Sequence, residues 1–146
     1  MAQMRETAIQ VNSLLTAYIA IHDDIYGASI RKIIPIPGIF RKINYCQHMV
    51  LLEQISSQLQ VCEAEAMKGF SEGGAQARFA SALAQYTRAL NATVTHLQRM
   101  TDLLCRKAQG EHCYSRHAYN SDCDQYNQLV QQYIQMGDSL NEVVRS

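Results

Sequence analysis

The chain has 146 residues, with 13 basic and 13 acidic side chains that cancel to zero net charge. A hydrophobic share of 47% against 18% charged residues is globular and excludes a disordered tail, while two Pro and seven Gly exclude a collagen-like or linker-like chain. No run of 18 apolar residues exists to cross a bilayer, the first residues carry no signal-peptide pattern, and zero net charge argues against a general nucleic-acid binder.

Helical periodicity dominates from the N-terminus onward. Met4, Val11, Leu15, Tyr18, His22 and Ile25 recur at three, four or seven residues and share one face. Ile33-Ile34-Pro35-Ile36-Pro37-Gly38 then interrupts the pattern, because each Pro lacks an amide donor and disfavours αR in the residue before it. Leu52, Ile55, Leu59, Cys62 and Ala66 form a second stripe, which ends near Gly73-Gly74. Phe79, Leu83, Tyr86, Leu90, Leu97 and Leu104, with Val94 beside them, form a third.

Gly110 follows, and on spacing alone it either ends that helix or only weakens it by about 1 kcal/mol. Tyr119, Cys123, Tyr126, Val130, Tyr133, Gly137, Leu140 and Val144 make a fourth stripe at alternating steps of four and three, a coiled-coil-like heptad seam. Four helices are therefore expected near 3–33, 39–69, 75–109 and 114–144, each roughly 45 Å long at about 1.5 Å per residue. Short connections between them predict an all-α, antiparallel bundle forming a single domain over 1–146.

Charge placement says more than net charge. No acidic residue lies between Asp24 and Glu53, whereas Arg31, Lys32, Arg41 and Lys42 flank an Ile-rich segment that includes Ile36 and Phe40. In an antiparallel bundle the first and third connections share an end, so Arg106, Lys107 and Arg116 join them there, opposed mainly by Glu111. Glu63, Glu65, Glu72 and Glu142 lie toward the other end with Lys68 and Arg145.

An apolar tip ringed by cations suits an anionic membrane surface or an acidic protein partner. The same isoleucines also suit a plug that closes the end of the bundle. Arg31, Lys32, Ile36, Phe40, Arg41 and Lys42 are the candidate partner- or membrane-binding residues. Nucleic acid is not expected, since the tip lacks interleaved aromatics for stacking.

Candidate chemistry is sparse. Five Cys, at 46, 62, 105, 113 and 123, make an odd count without a CxxC, which predicts reduced, mostly buried thiols. Cys105, His112, Cys113, His117 and Cys123 lie close in sequence with Asp122 and Asp124, but their spacing is poor for zinc, so no metal and no other cofactor is expected. His22 and His48 read as core groups, a core His pairing with an Asp from a neighbouring helix, and His112 and His117 as surface polar residues. No nucleophile elbow, P-loop or dinucleotide fingerprint appears, and an enzyme is not expected. The alternative to a binding or scaffold role is a small-ligand or metal-binding bundle.

The seam residues Tyr119, Asn120, Tyr126, Asn127 and Tyr133 read as a core with register-setting polar contacts, the two Asn bonding across to a neighbouring helix. A groove lined by phenols, or a self-association surface giving a homo-oligomer, is the other reading of the same seam.

Ser115-Arg116-His117-Ala118-Tyr119-Asn120, then Tyr126-Asn127 and Tyr133, resembles the C-terminal signature of the LemA family in spacing and residue type. Arg31-Lys32 before Ile36-Pro37-Gly38, and Asn12-Ser13-Leu14-Leu15, are similar to earlier family positions. The chain departs from that pattern in having no Trp and in carrying Pro35. The resemblance implies a long-helix bundle tethered at a membrane, without catalytic residues, and would let the last two helices run together through Gly110. A cytoplasmic or peripheral membrane location follows as the expectation.

Overall fold

A computed structural model describes residues 2–31 and 43–145, the side chains of Ala2, of residues 27–31 and of Glu72 excepted. The described residues form four long helices: α1 (Ala2–Arg31), α2 (Tyr45–Met67), α3 (Gly74–Ala108) and α4 (Arg116–Arg145). A 3-10 turn, Lys68–Glu72, joins α2 to α3. No strand occurs among the described residues, so the all-α expectation holds.

Local chemistry sets the boundaries. Asn44 caps α2 by accepting from the Gln47 amide at 3.1 Å, and Ser115 caps α4 by accepting from the Ala118 amide at 3.1 Å. Gly73 and Gly74 take φ of 70° and 64°, left-handed values that L side chains resist, and so turn the chain from α2 into α3. Gly110 does the same with φ 96°. It ends α3, and the continuous last helix that the LemA resemblance would allow does not form. The Pro-rich break at 33–38 and the expected start of the second helix at 39 lie outside the described residues.

Contacts between helices fix their directions. Gln3 on α1 donates to Glu65 on α2 at 2.8 Å, while Asp24 meets His48 at 2.6 Å, so α1 and α2 are antiparallel. Arg88 on α3 pairs with Glu63 at 2.6 Å, and Cys105 is bonded to Cys46, so α2 and α3 are antiparallel too. Arg99 reaches Asp122 at 3.1 Å, and Tyr86 packs on Tyr133, which reverses α4 against α3. The result is an up-down-up-down bundle with its first and third connections at one end.

The core follows the stripes, with departures on α1, on α4 and on α3, where Phe79 and Leu104 are only half-buried. On α1 the buried seam is Met4, Thr7, Val11, Leu14, Tyr18, Ile21 and Ile25, and the predicted Leu15 and His22 sit half-buried at its edge. The whole α2 stripe is buried. Three Thr share the buried face of α3 because Thr87, Thr93 and Thr101 each donate to the carbonyl four residues back, at 2.7, 2.9 and 2.6 Å. The α4 stripe is shallow. Only Tyr126 of this helix is buried, and Val144, expected inside, is 63% exposed.

Helix separation varies with side-chain size. The backbones of α2 and α3 run closest together, across Ser56, Cys62, Ala66, Ala80 and Ala84, whereas those of α1 and α4 hardly approach one another. At one end of the α2–α3 seam a Cβ on Gly69 would lie 2.7 Å from Cβ of Ala80 and 3.0 Å from Sδ of Met4. Ala80 Cβ cannot swing aside, so the helices themselves would have to part. Gly69→Ala should therefore destabilise the fold by about 1–3 kcal/mol. Thermal unfolding followed by circular dichroism checks this, with the midpoint falling by about 2–4 °C for each kcal/mol lost.

Candidate binding end and buried aromatic network

Two polar assemblies stand out. The first fills the wide gap between α1 and α4. The Tyr126 hydroxyl lies between the Tyr18 hydroxyl and Nδ1 of His22, the latter at 2.7 Å, donating to one and accepting from the other. The Tyr126 ring is stacked by His22, Tyr26 and His96, with centroids at 5.6, 5.8 and 6.3 Å, and Tyr133 meets the Tyr18 ring edge-on. Tyr18 and Tyr126 are each 1% exposed.

Burial holds both of these phenols protonated, far above their ordinary range, and keeps His22 toward its neutral form. Tyr119 is pushed up to about 12, first by burial and then by its hydrogen bond to Cys123. The network is thus uncharged, dry at its centre and fully hydrogen-bonded there.

The second assembly lies at the end where the first and third connections meet. Asp24 of α1 pairs with His48 of α2. Cys46, second residue of α2, forms a disulfide with Cys105 near the end of α3, with Cα atoms 4.9 Å apart. Gln109 donates to Sγ of Cys46 at 3.8 Å. Tyr114, between α3 and α4, is buried and donates to Asp122 at 2.6 Å. The same Asp122 takes Arg99 on its other oxygen, and its backbone carbonyl accepts from His96 at 2.9 Å. Every helix is tied at this end to a neighbour by a polar or covalent bond.

The predicted residues fall as follows. Arg31 ends α1, its side chain undescribed, and Lys32, Ile36, Phe40, Arg41 and Lys42 lie outside the described residues. Arg106 pairs with Asp102 on its own helix at 3.4 Å. Lys107 and Arg116 are exposed, with no ion pair among the described residues. Tyr126 is core, while Tyr119 and Tyr133 are half-buried beside it. Asn120 and Asn127 are exposed on the outer side of α4 and, among the described residues, do not bond across the bundle, because the heptad face turns them away from it.

The cysteines correct the expectation of five free thiols. Cys46 and Cys105 are joined, Cys62 is buried, Cys123 is half-buried, and Cys113 is exposed. His112 and His117 are exposed as well, and no three His, Cys, Asp or Glu side chains converge among the described residues. An open groove of about 300 Å³ between α3 and α4, bordered by Arg78, Gln85, Met136 and Ser139, lies toward the opposite end.

Sequence reasoning missed the disulfide and Tyr114. The odd Cys count hid the first. The usable signal was position, since antiparallel neighbours set the second residue of α2 beside the last turn of α3. Tyr114 lies outside every helical stripe and offered no periodic signal. The pairing of a His with an Asp from another helix was legible, and His48 with Asp24 is that pair.

No protein-family model, no curated protein and no solved structure matches the chain.

Tyr126→Phe would strip a partner from both Tyr18 and His22 in the dry centre of the network. It should cost about 1–3 kcal/mol, and Tyr126→Ala about 3–5 kcal/mol, both read by urea denaturation.

Because burial lowers the His22 pKa from 6.5, the unfolded chain takes up the proton more readily than the folded one. The contribution of His22 to stability is intact above about pH 6.5 and is lost as pH falls below it. Unfolding measured between pH 8 and 5 should show this loss in the wild type and a flatter dependence in His22→Gln.

Proposed function

We propose that this chain is a non-enzymatic binding domain that engages an anionic membrane surface through the stapled end of the bundle. One observation carries the reading. The bundle's topology brings the roots of the first and third connections together, and cations lie within the first connection and on both sides of the third. The first holds Lys32, Arg41 and Lys42, interleaved with Ile36 and Phe40 and preceded by Arg31, within a stretch free of acidic residues from 25 to 52. The third is flanked by the exposed Lys107 and Arg116.

Basic residues near an anionic leaflet each contribute about 1 kcal/mol, and apolar neighbours add insertion at the interface. The staples beneath support a display role, since a fixed base lowers the ordering cost of binding. The non-enzymatic part is supported by the titratable groups themselves. His22, His48 and His96 are each committed to an internal partner. The LemA-like Tyr-Asn spacing, with the membrane tether that it implies, points the same way.

Reversing Arg31, Lys32, Arg41 and Lys42 to Glu should leave the helical spectrum intact, because the buried stripes lie elsewhere. Co-sedimentation with phosphatidylserine-containing vesicles should fall by on the order of a thousandfold in affinity, at about 1 kcal/mol for each cation lost. Wild-type binding should itself weaken with salt, as exposed charges are screened over about 8 Å at physiological ionic strength. A folded wild type that fails to bind such vesicles at low salt rejects the membrane surface and favours an acidic protein face. Unfolding of the reversed variant would make those residues part of the bundle's structure.

A further inference from the structure

We propose that the Cys46–Cys105 disulfide is a redox latch, whose reduction opens the binding end of the bundle alone and so regulates that end. The regulatory part rests on the binding function proposed above. The position of the bond is what makes opening local. Cys46 is the second residue of α2, and Cys105 lies in the last turn of α3. Inward of the pair, Leu52, Ile55, Leu59 and Cys62 are buried in the core with Leu90, Val94 and Leu97, and none of that packing involves the bond.

Among the described residues outward of the pair, apolar burial is thinner than in the core, with Tyr114 buried there. Residues 109–113 are all exposed, and Ile43 and Tyr45 are only half-buried. The free energy of local opening is smallest where apolar burial is thin, so the covalent bond adds its constraint where the described packing holds least, beside the Asp24–His48 and Tyr114–Asp122 contacts. Cys46 is part-exposed and Cys105 is buried, which directs an incoming thiol to the Cys46 sulfur.

The exchange balances with a dithiol as reductant. One thiolate of the dithiol attacks Sγ of Cys46, the protein S–S bond breaks, and Cys105 leaves as a thiolate that takes a proton from solvent. The second thiol of the reductant then displaces Cys46 from the mixed disulfide. Two electrons and two protons pass to the protein, giving two protein thiols and one oxidised dithiol. Oxidation reverses the sequence.

Hydrogen exchange on the oxidised and the dithiothreitol-reduced chain tests the latch. Amides of residues 45–49 and 103–109 should exchange about tenfold faster or more when reduced, while those of 55–66 and 86–97 keep their protection. The double variant Cys46→Ser/Cys105→Ser should match the reduced wild type and ignore the reductant. Equal exchange in both redox states overturns the latch, and so does loss of protection throughout the bundle.

The same samples are sedimented with vesicles of phosphatidylserine and phosphatidylcholine in equal parts. Weaker binding by the reduced chain supports regulation. Equal binding in both states overturns regulation and leaves the binding function standing. Failure of the oxidised chain to bind overturns the binding function and the regulation that rests on it, while the exchange result still decides the latch.

Discussion

The close seam between α2 and α3 is the constraint on which the other packing depends. Small side chains, Ser56, Cys62, Ala66, Gly69, Ala80 and Ala84, let the two helices approach along their length. Ser56 donates to Asn91 at 2.8 Å and lies 3.2 Å from Thr95, giving the seam a polar register mark. The disulfide closes one end over a sequence separation of 59 residues. On chain-entropy grounds a loop of that size stabilises the folded state by about 4 kcal/mol. With α2 and α3 held together, α1 packs mainly on α2 and α4 on α3, and α1 and α4 face each other.

They face each other across aromatic rings. Large phenols keep the α1 and α4 backbones apart, and their hydroxyls would be costly in that gap without partners. The Tyr18–Tyr126–His22 chain meets this requirement at the dry centre, and Tyr26, Tyr119 and Cys123 form a wetter flank around it. Such a network favours one register of α4 over a slipped one, since a slip of one turn would remove the Tyr126 hydroxyl from both partners. It also explains why α4 can remain shallow, with Tyr126 its one buried side chain, and still hold its place.

Most of the architecture was legible because long amphipathic helices announce themselves by period. The α2 stripe was read without error, and the ends at Gly73, Gly74 and Gly110 follow from left-handed φ values that glycine accepts. What periodicity cannot convey is partner choice. It placed His22 and Tyr126 on inward faces without saying that they meet. It put Asn120 and Asn127 beside the seam, where the true face turns them to solvent. It counted five Cys and could not see that antiparallel geometry joins two of them. The cation-rich stretch 31–42 was equally visible as composition, but composition carries no contact, so the function assigned to it rests on charge and on the end of the bundle where its flanking helices terminate.

The chain is neutral overall, and its sequence concentrates cations between the ends of α1 and α2. In the proposed role the four helices serve as a stem, and the cation-rich sequence 31–42 adjoins its stapled end. The most direct measurement is a hydrogen-exchange footprint of the oxidised chain with and without phosphatidylserine-containing vesicles. Binding through the stapled end predicts new protection confined to residues 27–45 and 106–117, with the outer faces of α1 and α2 unchanged. Protection spread along those helical faces, or centred on the opposite end around residues 68–78, would contradict it.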